Sequence, residues 1–326
     1  MICIIFYNQL LIFIALITVI EVSLMVLKEL KLGKLYYEIN RHNPPALTIH
    51  PGETVKVETE DTFNGLVRKE GDHRDLLKKS QGNPQSGPIY VEGAEKGDTL
   101  VVHIEKIEAR INQSATDMTW ARRGLGEFLG LDIPVNTRIC PVRDSKVWWS
   151  PTVPLPYQPM IGTIGCTPEF GSPTTGPAGD YGGNMDIKEV TEGNTIYLPV
   201  YVDGALLHLG DAHAIQGDGE LCGTALEMPA TVSMTIDLLK GKTIPRPRIR
   251  SKDEIMCVAA GRPMERSVAQ AYSDLIFWME EEFNVPRWDA LSLLTMVGEI
   301  SVGYHLAGTV AAKVRIEYIK AASSHS

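Results

Sequence analysis

Hydrophobic and polar residues alternate along much of this chain. "TVKVETE" (54–60) and "TLVVHIEKIEA" (99–109) show the period of two that a half-buried strand requires. "NTIYLPVYVDGALLHLG" (194–210) reads as two such strands folded about Val202-Asp203-Gly204 as a hairpin turn. "EIMCVAAG" (254–261) and "AAKVRIEYI" (311–319) add further strands. Helical spacing occurs in two late segments. Met264 to Phe283 stacks Val268, Ala271, Leu275, Ile276 and Met279 on one face. A second helix follows, with Asn284 as N-cap, Pro286 in the first turn, and Ala290, Leu294 and Val297 continuing an apolar stripe. The aromatic and methionine residues of these helices read as core. Between residues 148 and 185 proline and glycine dominate, which excludes regular helix and confines strand to short pieces. That stretch carries Trp148, Trp149, Tyr157, Met160, Ile161 and Phe170, so it is expected to be an ordered, functional loop. The pattern as a whole predicts a mainly β protein with a late helical hairpin, α+β overall.

Composition narrows the partners. With 326 residues, 44% hydrophobic and 22% charged, the chain can bury a large core. A net charge of −9 and no Lys/Arg cluster exclude a nucleic-acid partner, which needs concentrated positive charge. The five cysteines are scattered without a C-x-x-C pair, which speaks against a disulfide scaffold or zinc ribbon and for a reducing cytoplasm. Residues 1–24 form a nearly continuous apolar run, long enough to cross a bilayer, for which roughly 20 residues suffice. The run lacks the positive n-region and cleavage site of a signal peptide. It is expected to be an extension ahead of a true start at Met25, contributing nothing to the fold. A membrane anchor is the alternative, and residues 25–326 are expected to form one domain.

Candidate chemistry concentrates in "HLGDAHAIQGDGELCGTALE" (208–227), which gathers two His, two Asp, two Glu and one Cys. Asp211 and His213, at i and i+2 of extended or turn backbone, can project to one side as metal ligands. One carboxylate with one imidazole suits zinc, whose hydrolytic sites keep a position open for water. "GGNMD" (182–186) offers a third ligand in Asp186, with Gly183 and Asn184 beside it as substrate-binding positions. His208 reads as a structural strand histidine with its ring satisfied. Glu227 closes the apolar "CGTALE" segment, and burial there gives it the pKa of a general base. Cys222 is the competing nucleophile, although a lone cysteine in an apolar segment is more often core. "GDGELCG" and "GLGEFLG" miss the dinucleotide-binding spacing. A calcium-binding EF-hand loop begun at Asp218 would place its final ligand on Pro229, and no G-x-S-x-G elbow is present.

"SGPIYVEGAEKGDTLVV", "GGNMD" and "YLPVYVDGALLHLGDAHAIQGDGELCGTALE" together resemble the acetamidase/formamidase family of amide hydrolases. The resemblance runs from about Leu30 to near the C-terminus. It implies hydrolysis of small aliphatic amides to a carboxylic acid and ammonia. It further implies a β-sandwich-like core, a divalent metal (zinc first, calcium as the alternative) and a homo-oligomer. A Cys222-dependent amidase and a non-catalytic β-sandwich binding a metal or small ligand are the competing readings. The sequence departs from the family at Ala178-Gly179-Asp180-Tyr181, where relatives often carry a Gly-Pro pair directly before the aromatic or His residue that precedes the glycines.

Overall fold

The computed structural model describes residues 27–74, 82–130, 132–134 and 136–323, so the expectations for residues 1–24 lie outside the described residues. Two sheets carry the fold. Among the described residues the first has nine strands, with Ala230–Leu239 between Glu53–Glu58 and Thr99–Ala109 in antiparallel register. It continues through Thr195–Pro199, Arg248–Arg250, Glu254–Ala259 and Val310–Arg315 to Glu299–Val302. The second sheet has eleven, with Met160–Gly165 and Leu207–His213 paired at its centre.

Period-two alternation explains why the sheets stack. Val55, Val57, Leu100, Val102 and Ile104 of the first sheet share one core with Ile161, Ile164, Leu207 and Leu209 of the second. Each such side chain, fully buried, contributes about 1.5–3 kcal/mol of hydrophobic transfer free energy. The expected sandwich-like core is therefore present. Strand Glu254–Ala259 is apolar on both faces for a reason: Met256 and Val258 join the inter-sheet core, while Ile255, Cys257 and Ala259 meet the helices. Val310, Ala312 and Val314 meet the same helices from the neighbouring strand. Helices Met264–Phe283 and Arg287–Val297 form the expected hairpin on the outer face of the first sheet, with Ala271, Leu275, Trp278 and Met279 inward.

Four local expectations change. Val202-Asp203-Gly204 does form a turn, but strands Thr195–Pro199 and Leu207–His213 lie in different sheets, so the turn is a crossover between layers. Two apolar strands in succession look alike whether they pair or stack. Asn284 caps the C-terminus of the first helix in the left-handed conformation (φ 55°), its N–H bonded toward Met279, because the chain must reverse there. The predicted strand 311–319 ends at Arg315 and turns into helix Ile316–Ser323. Within 148–185, Met160–Gly165 is a fully buried central strand. Its small residues mark close packing, not a loop.

Among the described residues no helix is long and apolar enough to cross a membrane. Cys140, Cys166, Cys222 and Cys257 are all free thiols.

Candidate active site

Strand Leu207–His213 brings Asp211 and His213 into the interior on one side, as their spacing allowed. Asp211 reaches its position with a left-handed backbone (φ 60°), and Asp186 does the same just beyond strand Gly182–Asn184 (φ 51°). Such backbone is uncommon outside glycine and is tolerated best by Asp and Asn. Glu227 arrives from the facing strand, paired in register with His213. Glu220 comes from the turn that closes the acidic run, again with positive φ. The donor atoms converge as two overlapping trios, Asp186–His213–Glu220 and Asp211–His213–Glu227, with His213 common to both.

Hydrogen bonds fix this arrangement. Asn83 Nδ2 donates to Asp211 Oδ2 at 2.6 Å and to Asn184 Oδ1 at 2.7 Å. Thr163 Oγ1 donates to Asn184 Oδ1 at 2.5 Å and lies 3.1 Å from Asp211 Oδ2. Asn184 Nδ2 donates to Asp186 Oδ2 at 2.7 Å. His213 Nδ1 donates to Gln216 Oε1 at 2.9 Å, which turns Nε2 toward Glu227 Oε2 at 3.2 Å and Asp211 Oδ1 at 3.6 Å. Glu227 Oε1 accepts the Ala225 N–H at 2.9 Å.

Three atoms are left over. Asp186 Oδ1, His213 Nε2 and Glu227 Oε2 are buried without a hydrogen-bond partner. Four carboxylates in a water-poor space also repel one another. Burial, then Asp211, pushes Asp186 well above the usual carboxylate range. Burial, then Asp186, does the same to Glu220. Burial pushes Glu227 up to about 7, with Asp211 adding to it and His213 opposing. Burial works against a charged His213, yet Glu227 and Asp211 hold its imidazole well above its ordinary value. Excess negative charge, unpartnered donor atoms and one imidazole oriented through Nε2 fit a divalent cation.

Gly162 completes the cradle. A Cβ there would stand 2.6 Å from Asp186 Oδ1, 2.8 Å from Asp211 Oδ2 and 2.8 Å from His213 Cε1. A groove of about 620 Å³ borders the cluster and includes Gln216, Glu220, Cys222 and Thr224 in its wall. Gln216 (9% exposed) and Glu220 (7%) line the groove while His213 is fully buried, so the groove approaches from their side. Cys222 is half-buried there, and burial followed by Asp117 raises its thiol, the opposite of what a nucleophile needs.

All the acidic and histidine candidates meet here except His208. It is fully buried, edge-on to Tyr36 at 6.2 Å, and neither ring nitrogen has a partner, so the expectation of a satisfied ring is corrected. Gly183 sits beneath the Tyr181 ring, and a Cβ there would lie 2.9 Å from both Tyr181 Cε2 and Pro177 O. The Ala178–Tyr181 departure forms one arm of a tight hairpin whose glycines, Gly179 and Gly183, make room for that ring. Sequence reasoning missed Asn83, Gly162, Thr163, Gln216 and Glu220 as site residues. Glu220 and Gln216 stood inside the acidic run. Asn83, Gly162 and Thr163 carried no local signal.

Residues 36–172 and 169–277 match the profile of the acetamidase/formamidase family. The chain belongs to that family. An acetamidase of Yersinia enterocolitica has the same fold at a TM-score of 0.83, with 35% identity over 90% of this chain and 93% of that one. Among sequence relatives in the family, the acetamidase of Mycolicibacterium smegmatis is 29% identical over 61% of this chain, and the formamidase of Methylophilus methylotrophus 27% over 64%. The chain spans just under two thirds of the length of these two enzymes, 64% and 65% respectively.

Proposed function

We propose that this chain hydrolyses small linear amides of the acetamide and formamide type to a carboxylic acid and ammonia. The observation that carries the reading is that three buried atoms without hydrogen-bond partners, Asp186 Oδ1, His213 Nε2 and Glu227 Oε2, belong to two ligand trios that share His213. Asp186, Asp211 and His213 are the proposed metal ligands, with Glu220 as a further oxygen donor. A bound divalent ion, zinc by the imidazole and calcium as the oxygen-rich alternative, supplies Lewis acidity at that position.

The chain's own groups do the rest. Asn83, Thr163 and Asn184 hold the carboxylates in place, and the substrate enters along the groove walled by Gln216, Glu220, Cys222 and Thr224, not past Gly183, which packs under the Tyr181 ring. Glu227 Oε1 is tied to the Ala225 N–H, so Oε2 is the atom free to take a proton from the attacking water. As the water oxygen bonds to the amide carbon and the C–N bond breaks, Glu227 passes that proton to the nitrogen, which leaves as ammonia. A carboxylate raised by burial to about 7 is matched to both halves of this transfer.

The cytoplasm suits this reading, since the described cysteines are free thiols. Self-association belongs to it too, and exposed Phe128, Trp288 and Met296 are apolar surface that a second subunit would cover. The deciding experiment is ammonia release from formamide, acetamide and propionamide, with and without chelator. Release that stops with chelator and returns with zinc supports the proposal; no release above background from any of the three sinks it.

A further inference from the structure

The groove beside the site is far larger than acetamide. Beyond its carbonyl acetamide carries a single methyl, and formamide carries only hydrogen. A groove of about 620 Å³ falls in the range of about 300–1,000 Å³ that receives drug-sized ligands. Its inner end belongs to the site. Glu220 is a member of one ligand trio, Gln216 accepts from His213, and the Ala225 N–H holds Glu227 Oε1. An amide seated at that end has the rest of the groove for its acyl group.

The free surface of the wall is apolar. Met118, Trp149, Leu155, Ile215, Leu221 and Leu226 line it. Trp149, Leu155 and Ile215 are half-buried and packed against the inter-sheet core, which backs them. Trp149 and Leu155 come from two paired strands, Lys146–Ser150 and Val153–Pro156. The Arg138 guanidinium carbon lies 4.1 Å from the Trp149 ring centroid, and Nη1 donates to the Trp149 carbonyl at 3.2 Å, so the indole is held in place. Leu221 is 54% exposed, apolar surface that a bound chain would cover.

The polar side chains of the wall are largely spent within the protein. Gln216 uses both ends of its amide, on His213 and on the Asp186 carbonyl. The Thr116 and Thr224 hydroxyls meet at 3.0 Å, and Thr224 Oγ1 donates to the Asp117 carbonyl at 2.8 Å. Thr137 Oγ1 donates to the Asp72 carbonyl at 2.6 Å. The carboxylates of Glu70 and Asp218, also in the wall, would repel an anionic acyl group.

We infer that this groove is an acyl-chain subsite, and that the preferred substrates are primary amides with a neutral, apolar acyl chain longer than acetyl, laid along Trp149, Leu155, Ile215 and Leu221. The inference rests on the amide-hydrolase reading and lengthens its substrate.

The test is ammonia release from a series running from formamide through acetamide and butanamide to hexanamide. Expected is a rise in kcat/KM of about two- to fourfold for each methylene added after acetamide, as for a methylene half to fully buried. Trp149→Ala removes one side of the wall and Leu221→Asp charges another. In both, kcat/KM for hexanamide should fall toward that for acetamide, with formamide turnover and metal content unchanged. A parent series that is flat or falls after acetamide, a slope that neither variant changes, or a loss shared equally by formamide and hexanamide in both variants overturns the inference alone. A parent protein that releases no ammonia from any amide in the series overturns the amide-hydrolase reading as well, so the two failures are distinct.

Discussion

Gln216 fixes the His213 ring with Nδ1 as a donor. Its Nε2 donates to the Asp186 carbonyl, an atom that can only accept, so its Oε1 must be the end that faces His213 Nδ1 at 2.9 Å. That oxygen can only accept in turn, so Nδ1 carries a proton and Nε2 is the nitrogen that faces the cradle, where a bound cation would displace its proton and take its lone pair. One side chain thereby ties the imidazole to the backbone of a proposed ligand 30 residues upstream.

Gln216→Leu should therefore weaken metal binding by about 10–100-fold, the usual worth of such a supporting contact. Competition titration against a chromogenic chelator measures it. Unchanged affinity would show that the imidazole is oriented by its neighbours on the strand.

Gly162→Ala tests the cradle from its floor. The added methyl stands 2.6–2.8 Å from side-chain atoms of Asp186, Asp211 and His213, all three of which are tied into the hydrogen-bond network. Metal content and amidase activity should disappear together while the far-ultraviolet circular dichroism remains that of the parent. Retained metal in a folded Gly162→Ala protein would place the ion elsewhere.

Glu227→Gln separates base from ligand. The amide keeps the size of the carboxylate and loses its basicity, so metal should stay, with turnover down by about 10²–10⁴-fold. Cys222→Ser should be close to silent in the same assay, since its thiol is raised away from the thiolate. Full activity in Glu227→Gln beside a dead, metal-replete Cys222→Ser would transfer the nucleophile to sulfur.

His208 predicts a pH effect on stability. Burial lowers its pKa from 6.5 to about 4, so between those values the unfolded chain binds a proton that the folded one does not. Stability is then complete above about pH 6.5 and declines as the pH falls toward 4, by about 3 kcal/mol in all. Denaturant midpoints measured across this window should fall less steeply for His208→Leu than for the parent. Equal slopes would locate the proton uptake in other groups.

The strand and helix content was legible locally. Alternation along 99–109 and the apolar stripe of 264–283 each follow from how one segment buries one face, and the structure contains both. Asp211, His213 and Glu227 were legible because ligand-type side chains crowded one short, otherwise apolar run. Which strands pair was not legible. The turn at Val202–Gly204 has the same residues whether it closes a hairpin or crosses between sheets, and only the pairing of Thr195–Pro199 with Thr99–Ala109 in one sheet and of Leu207–His213 with Met160–Gly165 in the other decides. The same limit hid Asn83, Gly162 and Thr163. An amide, a missing side chain and a hydroxyl have no chemistry of their own until the fold sets them against Asp211. Asn83 lies 128 residues from that carboxylate along the chain and 2.6 Å from it in space. Residue spacing encodes which side chains share a face of one strand; distance across a sandwich is set by the sum of all the strands' burial, which no short window of sequence contains.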